Sequence, residues 1–202
     1  MSEALDQASS DVKARPSVVL VSAMRNEGPF LLEWVAYHRV IGIDRVVVVS
    51  NGSTDGSDEL LSSLADAGEV TFLRTAPARG VAPQDAAVQA FETEIGYQPD
   101  AWYLWLDADE FLNVHVGDRT VQAMITAMGQ ASALMLNWRL FGSGGNDSFS
   151  GRHISAAFTG ASKSDFVANL ETKPLFQYGE RFTGFSLNAA GLPRVNPGAT
   201  NA

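Results

Sequence analysis

Cysteine is absent from the 202-residue chain, which excludes a disulfide framework, a thiolate zinc site and a cysteine nucleophile. Basic side chains are also scarce, because 14 Lys and Arg stand against 23 Asp and Glu, a formal net charge of −9. Binding to a phosphate backbone needs a basic surface, so this balance argues against a nucleic-acid partner. Long apolar runs are missing as well: segments 18–21 and 46–49 are strand-sized, far short of the ~20 residues of a membrane helix.

The ends of the chain differ in character from its middle. Residues 1–16 are polar and of mixed charge, with neither a basic start nor an apolar core segment, and we predict a disordered leader without a signal peptide. Residues 17–192 are predicted to form one domain, and residues 193–202 a frayed tail. The lack of a targeting signal favours a cytoplasmic location, and peripheral attachment to the inner face of a membrane stays open.

Strand and helix patterns alternate along the first two thirds of the chain. Short β-branched or apolar runs predict strands at 18–22, 45–50, 70–73, 102–106 and 133–137. Apolar residues three and four apart predict helices at 30–41, 58–67 (with Ser57 as N-cap), 84–95 and 120–128. This alternation indicates an α/β fold, with a mainly parallel sheet covered by helices on both faces. Beyond Phe141 the periodicity fades, which predicts an irregular C-terminal extension of the same domain.

Polar residues follow three of these strands at the point where each ends. In open parallel sheets, ligands bind outside the carboxyl ends of the strands, so these residues form the candidate site. Neither G-x-G-x-x-G nor G-x-x-x-x-G-K-[ST] occurs, so the usual glycine-rich phosphate cradles are absent. The candidates are Asn26 and Glu27 after the first strand, Asn51 and Asp55 after the second, and Asp107, Asp109 and Glu110 after the fourth.

The pair Asp107 and Asp109 is the sharpest feature. If the fourth strand persists to its end, residues two apart share a face, and the two carboxylates lie side by side. Like charges ~4 Å apart repel by roughly 4 kcal/mol at a dielectric constant of about 20, and a divalent cation would convert this repulsion into attraction. Oxygen-only ligands suit Mg²⁺ or Mn²⁺ that completes its coordination shell with phosphates. The alternative interpretation is a helix-capping turn at Asp109.

Three linked segments, 24–38, 50–56 and 106–111, resemble in order and spacing the family 2 glycosyltransferases with the GT-A fold. The closest similarity is to the bacterial branch that carries N-E-G-P-F-L-L-E-W and D-x-D-E-F, and segment 137–143 also matches that branch. The resemblance covers roughly residues 17–145. It implies a GT-A-like domain that transfers a sugar with inversion from a nucleotide-sugar donor, UDP- or GDP-linked, to a saccharide or lipid-linked acceptor in cell-envelope polysaccharide assembly.

The resemblance also assigns roles to individual residues. It places Asp109 on a Mn²⁺ or Mg²⁺ ion that bridges the diphosphate, with Asp107 near the ribose or sugar and contributing to the metal site. The other donor contacts that it implies are Asn26, Glu27, Asn51 and Asp55. Two positions depart from the family pattern, because Ser50 stands where many members have a base-reading aspartate and Asn188 stands where this branch usually has a histidine.

The remaining candidates come from the C-terminal part. Inversion needs a general base beside the acceptor hydroxyl. Four acidic residues of this part are candidates that the sequence does not distinguish well, and Asp147 is chosen from them. The cations Arg139 and Lys173 are predicted to meet the diphosphate, with simple surface solubility as an equal alternative. His38 lies on an apolar helical stripe and is interpreted as a structural histidine.

Two rival functions have sequence features behind them. A truncated or degenerate domain that binds nucleotide-sugar without turnover is favoured by Asn188 and the weak C-terminal match. A phosphatase of the haloacid dehalogenase kind also begins from D-x-D after a strand, but there a Thr or Val normally follows where this chain has Phe111, and its D-x-D lies on the first strand. The phosphatase is therefore disfavoured.

Overall fold

The computed structural model describes residues 15–146, 148, 151–187 and 193–197. Six strands form its central sheet in the order β3-β2-β1-β4-β6-β5. Within this sheet β6 is antiparallel to both of its neighbours, and the other five strands run in one direction. The strands are β1 (Val18–Met24), β2 (Arg45–Ser50), β3 (Thr71–Arg74), β4 (Trp102–Trp105), β5 (Ala133–Asn137) and β6 (Thr172–Gln177).

Helices cover both faces of this sheet. They are α1 (Gly28–Val40), α2 (Ser57–Asp66), α3 (Pro83–Glu94), α4 (Val121–Ala127) and the short α5 (Ile154–Ala157), with a 3-10 helix at Val167–Leu170. One buried cluster joins α1, α2 and α4 to the face of β1 that carries Val18, Leu20 and Met24. A second cluster joins α3 to the opposite face, where Val19 and Val21 lie. The predicted α/β class with a mainly parallel sheet is confirmed.

The predicted elements up to residue 137 are all present, with ends that shift by a few residues. The strand predicted at 102–106 stops at Trp105. Ser57, predicted as the N-cap of the second helix, is its first helical residue, and Gly56 takes the N-cap position with a φ of 92°. That left-handed conformation favours glycine, so the turn ends one residue earlier than predicted.

The C-terminal part is more regular than predicted. β6 inserts between β4 and β5, and its residues Lys173 to Phe176 are buried. A hairpin of β7 (Phe182–Leu187) and β8 (Pro193–Pro197) follows, so the segment predicted as a tail begins with a paired strand at 193–197. Lys173 and Pro174 interrupt the apolar pattern of β6, and only pairing with two neighbouring strands makes this segment a central strand. Asn188 lies outside the described residues.

We find no helix within the described ranges that has both the length and the apolar character to cross a membrane.

Candidate functional site

The carboxyl ends of β1, β2 and β4 are adjacent, because these strands are neighbours in the sheet and run in parallel. The residues after them therefore meet at one edge, as predicted from the sequence. Glu27, which follows β1, reports this proximity: its pKa is raised by burial, and further raised by the negative charges of Asp109, Asp55 and Asp107. Carboxylates from three separate loops thus form one acidic edge.

Asn26 joins the first two of these loops. It has a left-handed backbone, with φ of 59°, a conformation that asparagine tolerates better than most residues. Its backbone N–H donates to Ser53 Oγ at 3.1 Å, and its side-chain Oδ1 accepts from the Thr54 N–H at 2.8 Å. The observed role of Asn26 is therefore to hold the loop after β2 against the loop after β1.

Asp55 has a similar bridging position between α1 and α2. Its Oδ2 accepts from the Gly28 N–H at 3.2 Å, and its Oδ1 accepts from the Ser57 hydroxyl at 2.5 Å and the Ser57 N–H at 3.0 Å. The Ser57 hydroxyl contributes most to lowering the pKa of Asp55, so this carboxylate stays ionised. Asn51 is half-buried, and its N–H donates to the Met24 carbonyl at 3.0 Å, which extends the β1–β2 pairing.

Ser50, one of the two positions that depart from the family 2 pattern, contacts a carboxylate from another element. Its hydroxyl donates to Asp58 Oδ1 at 2.5 Å, and the Arg74 guanidinium donates to Asp58 Oδ2 at 3.2 Å. Asp58 belongs to the first turn of α2 and Arg74 ends β3. Sequence reasoning missed this group, although an acid in the first turn of a helix after a strand was visible.

Residues 107–110, which we call the acidic turn, do not continue the fourth strand, which was the condition for Asp107 and Asp109 to share a face. Because β4 ends at Trp105, the two-residue alternation of a strand does not apply to Asp107 and Asp109. The chain turns instead: the Glu110 N–H donates to the Asp107 carbonyl at 3.1 Å, and the Asp107 N–H donates to Glu110 Oε2 at 2.9 Å. Asp109 is exposed at this turn, whereas Glu110 is mostly enclosed and burial raises its pKa.

Lys173 and Arg139, the two side chains predicted to bind the diphosphate, lie in different surroundings. Lys173 is only 2% exposed, and its ammonium lies 2.8 Å from Asp107 Oδ2 and 3.1 Å from Glu110 Oε2. It therefore binds the acidic turn, and the alternative of a solvated surface lysine is wrong. Arg139 is exposed two residues beyond β5. Asp147, the predicted general base, lies outside the described residues.

One face of α1 holds the backbone of segment 107–112. The Trp34 indole N–H is shared between the carbonyls of Asp107 at 3.1 Å and Glu110 at 2.9 Å. The Tyr37 hydroxyl donates to the Leu112 carbonyl at 2.9 Å. The sequence pattern identified Trp34 as a core residue but gave no sign of these bonds, because they join residues more than 70 positions apart.

His38 completes this face and is structural, as predicted. Its Nδ1 lies 2.9 Å from the Trp34 carbonyl, and its Nε2 accepts from the Leu112 N–H at 3.4 Å. An acceptor at Nε2 requires a neutral ring with the proton on Nδ1. Burial lowers the pKa of His38 to about 4, against which the hydrogen bond to Trp34 raises it slightly. The imidazole is therefore an uncharged support of the backbone at Leu112, just beyond the acidic turn.

We expect His38 to make folding stability depend on pH. Its pKa is about 4 in the folded chain and 6.5 when unperturbed, so its contribution is complete above pH 6.5 and is lost as the pH falls towards 4. Between pH 7.5 and 5.0 the loss should be about 2 kcal/mol. Urea unfolding of His38→Gln should show a shallower pH dependence than wild type by this amount. The exposed His115→Gln is the control, and an unchanged slope in His38→Gln would contradict the prediction.

The residues from 138 to 171 join β5 to β6 and begin at the carboxyl end of β5, on the same edge as the acidic turn. Glu33 of α1 binds this connection: its carboxylate accepts from the Ile154 N–H at 2.5 Å and from the Ser155 hydroxyl at 2.6 Å. On the β6 side, Asn169 is buried and accepts from the Leu140 N–H at 3.1 Å. Glu33 therefore fixes the middle of the connection to α1, and the bond between Leu140 and Asn169 holds its two ends together.

A divalent cation fits this edge only if a bound phosphate-containing molecule and water supply some of its coordinating oxygens. Among the described residues, no group of three or more His, Asp or Glu side chains is arranged to hold a metal. Asp107 still has an oxygen outside its ion pair with Lys173, and Asp109 is exposed. One or two carboxylates are what Mg²⁺ uses when phosphates and water complete its octahedron. The donor set thus suits a cation that arrives with a diphosphate.

Comparison with known proteins gives partial matches to glycosyltransferases. The chain is 32% identical over 101 residues to a glycosyltransferase family 92 protein of Ricinus communis, which covers 48% of this chain and 17% of that protein. It is 30% identical over 115 residues to a glycosyltransferase family 92 protein of Oryza sativa subsp. japonica, which covers 54% of this chain and 18% of that protein. The chain thus spans less than a fifth of these relatives. No protein-family model matches it.

Two solved structures are similar to this chain at lower sequence identity than the two curated relatives. The crystal structure of S. aureus TarS aligns with a TM-score of 0.45 at 14% identity, over 66% of this chain and 23% of that one. The crystal structure of 4-diphosphocytidyl-2C-methyl-D-erythritol synthase aligns with a TM-score of 0.43 at 15% identity, over 81% of this chain and 75% of that one.

Proposed function

We propose that this chain is a glycosyltransferase domain that moves a sugar from a nucleotide-sugar donor to an acceptor hydroxyl. The observation that carries the proposal is the acidic edge, where three strand ends bring Glu27, Asp55, Asp107 and Asp109 within electrostatic range. An acidic edge can hold an anionic diphosphate only through a cation, and its donor set suits Mn²⁺ or Mg²⁺. The partial similarity to two glycosyltransferase family 92 proteins supports the same class of reaction.

The cation, when bound by Asp107 and Asp109, would neutralise the charge that develops on the departing diphosphate. Asn51 directly follows β2, the position at which the resemblance to family 2 places the base and ribose. Asn26 and Asp55 act by holding the two loops around the donor, since their side chains are occupied by backbone partners. Glu27 lies within electrostatic range of the metal carboxylates and completes the donor side.

The acceptor side is assigned to the connection between β5 and β6. We propose that a saccharide or lipid-linked acceptor binds there, with inversion at the anomeric carbon and Asp147 as general base. Arg139, exposed beside β5, remains a candidate for the diphosphate. The family stays a prediction, since the motifs resemble family 2 whereas the relatives found belong to family 92. Assembly of cell-envelope polysaccharide at the cytoplasmic face of a membrane is part of the same proposal.

The test is a titration of the full chain with UDP- and GDP-linked sugars, with and without Mn²⁺, followed by calorimetry and by mass spectrometry of released sugar. We expect one donor to bind only with Mn²⁺ and to be consumed when an acceptor is added. Metal-dependent binding without sugar release or transfer would favour the non-catalytic rival. Binding of no donor under any condition would contradict the proposal, and turnover of simple phosphate esters would favour a phosphatase.

A further inference from the structure

Lys173 is a buried cation whose position the proposed reaction does not explain. It lies on β6 opposite Leu136 of β5, and its side chain is 2% exposed. Lysine is almost never fully buried unless it is paired. Here the ammonium contacts two carboxylates of the acidic turn, Asp107 at 2.8 Å and Glu110 at 3.1 Å, and lies 5.7 Å from the centre of the Trp138 ring.

This arrangement leaves no room for a direct role of Lys173 on the diphosphate. Two of the three ammonium hydrogens point to carboxylate oxygens of the chain itself, and the remaining surroundings are almost closed to solvent. Reaching a ligand would require both ion pairs to break, which would strand the mostly enclosed Glu110 carboxylate without its counterion. The ammonium is therefore directed at the turn and not at the ligand.

We propose that Lys173 is a positioning residue for the metal ligand Asp107. Its ammonium fixes Oδ2 of that carboxylate, so that only Oδ1 is left for a cation shared with Asp109. Metal ligands depend on hydrogen-bonding partners of this kind, and removing such a partner typically weakens metal affinity 10–100-fold. The proposal rests on the proposed function, because it assumes that the acidic edge binds a divalent cation.

A charge-balanced pair of substitutions separates this role from simple stabilisation. Lys173→Met alone leaves Glu110 enclosed without its counterion, so loss of folding would not be informative. The double variant Lys173→Met with Glu110→Gln removes one positive and one negative charge together. The glutamine keeps an oxygen that can accept from the Asp107 N–H. The net charge near the cation is then unchanged. The difference is that no ammonium group fixes the Asp107 carboxylate.

The readouts are binding of MnCl₂ alone, followed by electron paramagnetic resonance, together with urea unfolding and amide hydrogen exchange of residues 107–110. We expect the double variant to fold, to bind Mn²⁺ about tenfold or more weakly than wild type, and to exchange faster at the acidic turn. Lys163→Met, at an exposed lysine, should leave all three readouts unchanged.

The outcomes distinguish this inference from the proposed function. Equal Mn²⁺ affinity in wild type and double variant would overturn the role of Lys173 and leave the proposed function standing. If wild type binds no Mn²⁺, the metal in the proposed function is wrong. The rate of hydrogen exchange at the acidic turn then decides whether Lys173 positions Asp107. Faster exchange at the turn in the double variant would then still support positioning of Asp107, and unchanged exchange would overturn it.

Discussion

Asp109→Ala is expected to abolish Mn²⁺-dependent donor binding, with a loss of about 100-fold or more, while the protein stays folded. The side chain is exposed at the acidic turn, so its removal leaves no cavity, and within the described part of the chain no hydrogen-bond partner loses it. Surface substitutions of this kind usually change the free energy of unfolding by less than about 0.5 kcal/mol. Calorimetric titration of Mn²⁺ and donor, combined with urea unfolding, measures both quantities on one preparation.

The matched control for this substitution is Asp66→Ala. Asp66 is also exposed and ends α2, and it carries the same charge. The variant should bind Mn²⁺ and donor like wild type, which shows that a change of net charge alone does not alter binding. Normal binding of metal and donor by Asp109→Ala would remove that residue from the metal site, and with it the main support for the metal in the proposed function.

The second large effect is expected from Trp34→Phe, which removes the indole N–H shared by the carbonyls of Asp107 and Glu110. The Asp107 carbonyl still accepts from the Glu110 N–H, whereas the partly enclosed Glu110 carbonyl loses its donor, and leaving a buried acceptor unsatisfied costs about 1–3 kcal/mol. We therefore expect a loss of about 2 kcal/mol in the free energy of unfolding beyond the loss of ring volume. The acidic turn should also exchange its amide hydrogens faster, and Mn²⁺ binding should weaken.

Trp105→Phe provides the control for ring volume. Trp105 is fully buried like Trp34, but its Nε1 has no hydrogen-bond partner in the part of the chain that the structure describes. Its replacement removes the same ring without freeing a carbonyl of the turn. If both variants lose equal stability and bind Mn²⁺ equally well, the hold of α1 on the acidic turn contributes nothing to the site.

The candidate site was partly readable from the sequence because three of its segments follow apolar strands. Asn26, Asp55 and Asp107 were selected on that ground alone, and they do meet at one edge. Their individual roles were not readable. Asn26 and Asp55 bind backbone groups of neighbouring loops. These contacts depend on how two loops lie side by side, which no local pattern encodes.

The continued strand, on which the side-by-side placement of Asp107 and Asp109 depended, does not form, for a related reason. The two-residue alternation would place Asp107 and Asp109 together only if the strand continued, and β4 ends at Trp105. The segment turns because the Glu110 carboxylate accepts from the Asp107 N–H within it, and because Trp34 of α1 donates to its carbonyls. Lys173 was missed as its partner because β6 shows no alternation of its own.

Three features were readable from the amino-acid sequence: the α/β class, the order of elements up to β5 and the edge of the sheet where polar residues collect. The class and the order of elements follow from hydrophobic periodicity, which is a local property of the sequence. The polar edge follows from the topological rule that parallel strands end on the same side of the sheet. The entry of β6 into the sheet, the contact of Lys173 with the acidic turn and the hold of α1 on this turn appear only in the folded chain. They join residues between 35 positions apart, as Asn137 and Thr172 are, and 76 positions apart, as Trp34 and Glu110 are, and packing alone brings such residues together.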